Sequence, residues 1–124
     1  HTEPHQTENK QDASESVFLT KAIELAEKNL HVPGYSVEQL SRDLCMERTG
    51  LYRKLVAMLD QSPSLFIRNI RLQRAAQLIL EGSLSITEIA ERTGFSSSSY
   101  LSKCFQEMYG CRPSEYAEKM QKST

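Results

Sequence analysis

Two four-residue stretches, Ser36-Val37-Glu38-Gln39 and Ser85-Ile86-Thr87-Glu88, carry the same helix-start chemistry 49 residues apart. In each, a serine hydroxyl can accept a backbone N–H of the first turn. The Gln or Glu three positions on can reach back to the serine's own N–H. The likeness continues downstream: Val37 answers to Ile86, Leu40 to Ile89, Ser41 to the equally small Ala90, and Met46 to Phe95. Past the turn the offset becomes 50, which one inserted residue in the second copy accounts for. There Leu51 answers to Leu101, Leu55 to Phe105, Pro63 to Pro113 and Phe66 to Tyr116. A repeat of this kind restricts the chain to a fold made from two copies of one unit. Each copy reads as a short capped helix, a tight turn (Leu44-Cys45-Met46 or Thr93-Gly94-Phe95) and a second helix. That is the pattern of a helix-turn-helix.

Between the copies lies Ser62 to Gly82, SPSLFIRNIRLQRAAQLILEG. It opens on a serine N-cap with proline at the first helical position and closes on a glycine that can turn left-handed. The span predicts one helix over 63–81, roughly 28 Å long at about 1.5 Å per residue. Its apolar residues cover more than one stripe, so it has neighbours on more than one side. Arg68, Arg71 and Arg74 form a basic ridge along it, and Arg71 and Arg74 can pair with carboxylates such as Glu88 or Glu91. The expected architecture is all-α, about seven helices, in two helix-turn-helix subdomains joined by this central helix. The expected divisions are a disordered tail or linker at 1–15, a first subdomain at 16–62, the connecting helix at 63–82 and a second subdomain at 83–124.

The tail is polar and aperiodic, with nothing to bury, and its His1 and His5 are expected to be solvated rather than metal ligands. From Ser16 to Leu30, Leu19, Ile23, Ala26 and Leu30 recur on one face and predict an amphipathic first helix, ended by His31-Val32-Pro33-Gly34. The chain is expected to be a fragment or processed product, since it opens on histidine. Three cysteines, odd in number and widely spaced, make neither a disulfide framework nor a zinc site and imply a reducing compartment. No apolar run is long enough to span a bilayer. The net charge of −1 is an average of unlike parts. Residues 1–15 carry −3, leaving +2 for the remainder, and the stretch from Arg42 to Arg74 has seven basic residues against three acidic. A local field of that sign counts for more with a polyanion than the total charge does.

Arg71-Leu72 and Ala75 in the central helix are followed by Ile86, Glu88-Ile89-Ala90 and Gly94-Phe95. Then come Tyr100-Leu101-Ser102, Phe105, Gly110, Pro113 and Tyr116. Over Ser16 to about Met120 this resembles the AraC/XylS-type transcriptional regulators. Leu51-Tyr52-Arg53-Lys54-Leu55 and Ser62-Pro63 are similar to the output domains that end hybrid two-component sensor-regulators of Bacteroides-like bacteria. Glu47 stands where such proteins often have serine, and Cys45 replaces the usual turn glycine. The resemblance implies sequence-specific binding of double-stranded DNA, in the cytoplasm, with RNA polymerase as a further partner. The fragment is expected to be monomeric, within a parent able to dimerise.

In a helix-turn-helix the second helix enters a major groove with its N-terminal part against base edges. In the first unit this face is Arg48, Thr49, Tyr52 and Arg53; in the second it is Ser98, Ser99, Ser102 and Lys103. Arginine can grip a guanine edge bidentately, whereas serine and threonine accept several bases and specify less. Lys54, Arg68 and Arg112 are the candidates for phosphate contacts. Leu101, Phe105 and Met108 are expected to pack inward, and Tyr100 and Tyr116 to belong to the core, as do Cys104 and Cys111. No phosphate loop, His–carboxylate pair or Cys–His pair is present, so neither catalysis nor a cofactor is expected. The competing possibility is a helical protein-interaction module whose exposed faces meet RNA polymerase or a partner regulator.

Overall fold

The computed structural model describes residues 2–32 and 34–122, with side chains from residue 13 to 121. Among these residues the chain forms seven helices: α1 (Thr2–Lys28), α2 (Val37–Asp43), α3 (Arg48–Leu59), α4 (Pro63–Glu81), α5 (Ile86–Arg92), α6 (Ser98–Tyr109) and α7 (Pro113–Lys122). The repeat governs the backbone in detail. Both short helices have seven residues and complete capping boxes at Ser36 and Ser85. Both second helices have twelve residues and end on a left-handed residue, Asp60 or Gly110.

Helix α4 starts where its caps place it. Ser62 accepts the Leu65 N–H, Pro63 occupies the first turn, and Gly82 closes the far end with φ of 74°. It belongs to two cores. Phe66, Ile67 and Ile70 pack with Ala22, Ala26, Leu40, Leu51 and Leu55 from α1, α2 and α3, and with Leu30 just past the end of α1. Leu72, Ala75, Ala76 and Leu78 pack with Ile89, Ala90, Leu101, Cys104 and Phe105 from α5 and α6. A helix with apolar residues on several sides has met the neighbours it needs.

Four expectations are corrected. Helix α1 runs on through residues read as an irregular tail, beginning at Thr2. Once a helix is nucleated, each added residue costs little, and Gln, Glu, Lys and Ala are good formers. Residues 13–17 are exposed, so this extension adds nothing to the core where its side chains are described. The expectations for His1, His5 and Pro33 fall outside the described residues or side chains. Met108 does not pack inward but is 40 % exposed, and Cys104, one helical turn earlier, takes the inner place at 2 %. Tyr100 is also outside the core, 45 % exposed. Its counterpart at the offset of 50 is Gly50, and a site that needs no side chain in one copy is not a shared core site. Lastly, Arg71 is buried and does not pair with Glu88 or Glu91. Arg74 instead donates to Gln77 at 2.9 Å, and Glu88 is engaged with Ser85. The two serine hydrogen bonds hold the Glu88 carboxyl below its ordinary pKa. Tyr116 and Cys111 do pack as expected, Tyr116 edge-on to Phe105 at 5.2 Å and Cys111 buried.

Candidate nucleic-acid interface

Helices α3 and α6 each have a buried back and a polar front. Leu51 and Leu55 hold α3 to its core, and Leu101, Cys104 and Phe105 hold α6. On the open side of α3 lie Arg48, Thr49, Tyr52 and Arg53, all exposed, Tyr52 by 52 %. On the open side of α6 lie Ser99 and Lys103, exposed, with Ser98 and Ser102 half-buried beside them. The structure therefore brings together both sets of four residues as the sequence spacing requires.

The arginines differ in what they do without a ligand. Arg48 Nη1 lies 3.4 Å from Glu38 Oε1 on α2, an exposed pair that a competing anion or base edge can displace at small cost. Among the described residues Arg53 has no ion-pair partner. It is the freer of the two donors.

Of the phosphate candidates, Lys54 is not brought to this front. Its ammonium sits over the Phe18 ring of α1, 4.7 Å from the centroid. At about 100° per residue it points roughly 140° away from Thr49 around α3. Arg68 is half-buried in a cleft of 450 Å³ between the start of α4 and the turn into α6, alongside Ser64, Ser96 and Tyr100. Its Nε is buried without a hydrogen-bond partner among the described residues. Arg112 is exposed at the start of α7, its Nε 3.6 Å from Glu115 Oε1. It lines a groove with Ile86, Ser102 and Pro113, and the matching groove of the first unit is lined by Val37, Tyr52, Ser62 and Pro63. The two grooves share a register, with Arg112 in the second at the place of Ser62 in the first, and the first has its own cation in Arg48. Tyr100, edge-on to Phe95 at 5.8 Å, joins Arg68 in the cleft and was not among the residues expected to face outward.

Two helix-turn-helix units in one register on a shared capped helix define a double helix-turn-helix module. The helix-turn-helix domain family matches residues 40–119. The chain belongs to the AraC/XylS-type family of helix-turn-helix transcriptional regulators. It is 38% identical over 99 residues to histidine kinase P4 of Formosa agariphila, covering 80% of this chain and 7% of that protein. It is similar in structure to an AraC-type transcriptional regulator from Chromobacterium violaceum, with a TM-score of 0.78 and 29% identity over 86% of this chain and 95% of that one. The DNA-binding domain of AdpA, solved in complex with a target DNA, superposes with a TM-score of 0.74 at 25% identity, covering 85% of this chain and 94% of that one.

Proposed function

We propose that this chain is the DNA-reading output domain of a transcription regulator, with α3 and α6 entering successive major grooves on one face of a duplex. The observation that carries this is the paired register: two reading helices with buried backs, exposed polar fronts and a common rigid mount. Arg53 and Arg48 grip guanine edges, Thr49 and Tyr52 support them, and Ser98, Ser99, Ser102 and Lys103 read the second groove more permissively. Arg68 and Arg112 take backbone phosphates. The divisions at 62 and 83 separate the two reading units from the mount. The likeness to a short stretch of a much longer histidine kinase supports a place in a hybrid sensor-regulator, where we put it at the output end. Such a domain works in the cytoplasm by binding rather than by catalysis, with RNA polymerase as its second partner.

The test is duplex binding across a range of salt concentrations, after selecting bound sequences from a random pool. A reader of this kind loses affinity linearly on a log–log scale, with a slope of about 0.9 per phosphate neutralised. Absence of any salt-dependent duplex binding would instead leave a protein-interaction module.

A further inference from the structure

Arg71 stands on α4 between Ile70, which belongs to the first core, and Leu72, which belongs to the second. Its side chain is only 7 % exposed, and among the described residues no carboxylate lies within ion-pair distance. The guanidinium is satisfied by backbone carbonyls from both units. Nη1 donates to Leu30 O at 2.5 Å and to Thr93 O at 2.8 Å, and Nη2 to Val32 O at 3.4 Å. Leu30 and Val32 follow the end of α1, and Thr93 is the C-cap of α5. Both are the negative ends of helices, where unpaired carbonyls collect and a cation is stabilised. Gly94 makes room for this. With φ of 79° it turns left-handed, and a Cβ there would fall 1.7 Å from Arg71 Nη1 and 2.3 Å from the Leu30 carbonyl.

A shared helix does not by itself fix how two units sit on it, because each can roll about the common axis. We infer that Arg71 is the positioning residue that sets the angle and spacing of α3 relative to α6, by capping α1 and α5 at once. Helix α1 packs on α2, which carries α3, and α5 packs on α6, so the fork joins the two reading helices by short rigid routes. A lysine has one compact ammonium and cannot reproduce a planar fork that holds two separate anchors. This inference rests on the DNA reading proposed above and adds to it the source of its fixed geometry.

Wild type, Arg71→Lys and Arg71→Met are compared on duplexes carrying both groove segments and on duplexes carrying one. The expected result is one-segment affinity unchanged within about twofold, and two-segment affinity lowered by about tenfold or more, as effective concentration is lost. The penalty for inserting a base pair between the segments should shrink as well. Equal loss on both kinds of duplex would overturn the inference, since Arg71 would then support the units themselves. So would unchanged two-segment affinity with an unchanged spacing penalty.

A DNA-free measurement separates this from the reading function. Spin labels at Ala57→Cys and Glu107→Cys, on exposed turns of α3 and α6, are placed in a background carrying Cys45→Gly. They should give a narrow distance distribution that broadens on Arg71→Lys. An unchanged width overturns the inference whatever happens to DNA binding. A broadened width in a protein that binds no duplex supports the positioning role and removes the DNA reading instead.

Discussion

In the first unit the residue that turns left-handed ahead of the reading helix is Cys45, with φ of 57°; in the second it is Gly94, with φ of 79°. The two occupy the same place in the repeat and meet different demands. Cys45 is exposed, so only its backbone is strained, at a cost of roughly 1–2 kcal/mol. Gly94 has a guanidinium and a carbonyl against the space a Cβ would fill, so conformation and volume are both demanded there. The starts of the reading helices differ in the same sense. Ser97 caps α6 by accepting the Tyr100 N–H, whereas Glu47 makes no side-chain cap for α3. The outward faces reverse the ranking. The first unit offers Arg48 and Arg53, the second a single Lys103 among serines. The less tightly built unit therefore carries two arginines on its open face, and the better-capped unit one lysine among serines.

The strongest challenge to this comparison is to separate the two sites on the DNA. Inserting about half a helical turn between the groove segments puts the second on the opposite face, and a full turn of about 10 base pairs restores the face at twice the distance. Both insertions should reduce binding to that of one segment, a loss of about a hundredfold or more. Recovery of full affinity with the full-turn insertion, read by a gel-shift titration, would mean that the units move independently.

The turn residues come next in size. Gly94→Ala should lower unfolding free energy by about 2–3 kcal/mol, through its φ and its clash with Arg71. Cys45→Gly should raise it by up to about 1 kcal/mol. Urea unfolding of both variants decides this, and equal effects would show that space over Gly94 is not what distinguishes the turns.

For the reading faces, Arg53→Ala should cost about 1–3 kcal/mol and relax preference at one base position. Ser102→Ala should cost less than about 1 kcal/mol, a neutral hydrogen bond at most. Should Arg53→Ala weaken cognate and random duplexes alike, its role is phosphate contact rather than base reading. In the same binding series Arg68→Ala should reduce the salt slope by about 1. Lys54→Ala should leave it unchanged, since that ammonium faces Phe18.

The smallest effect rests on a hydrogen bond found in the first unit and not at the matching place in the second. Tyr35 donates to Asp43 Oδ2 at 3.1 Å, where the second unit has Leu84 and Arg92. Burial first, and then the Asp43 carboxylate, push the Tyr35 hydroxyl from 10.0 up to about 12. Its contribution to stability is fully present below pH 10 and is lost as pH rises through about 12. Denaturation titrated over that window should show an alkaline loss that Tyr35→Phe reduces. The remainder comes from Tyr109 of the second unit, whose hydroxyl burial also pushes up. A variant with the same alkaline slope as wild type would assign the loss to another group.

What the chain alone determined is what short-range chemistry decides. The capping boxes at Ser36 and Ser85, the caps of α4 and the matched lengths of the two units all rest on atoms three or four residues apart. The all-α, two-unit plan and the residues on the open sides of α3 and α6 followed from them. What only the tertiary structure decided are the places where distant segments meet. Arg71 reaches Leu30, 41 positions back, and Thr93, 22 positions on, and no local pattern distinguishes it from Arg68 or Arg74 on the same ridge. Lys54 is drawn to Phe18 on α1, and Tyr100 is left half outside a cleft that exists only once α4 and α6 are packed together. Helical periodicity shows which side chains share a face. Which of those faces meets protein, and which stays open for a ligand, depends on how the two cores close around α4.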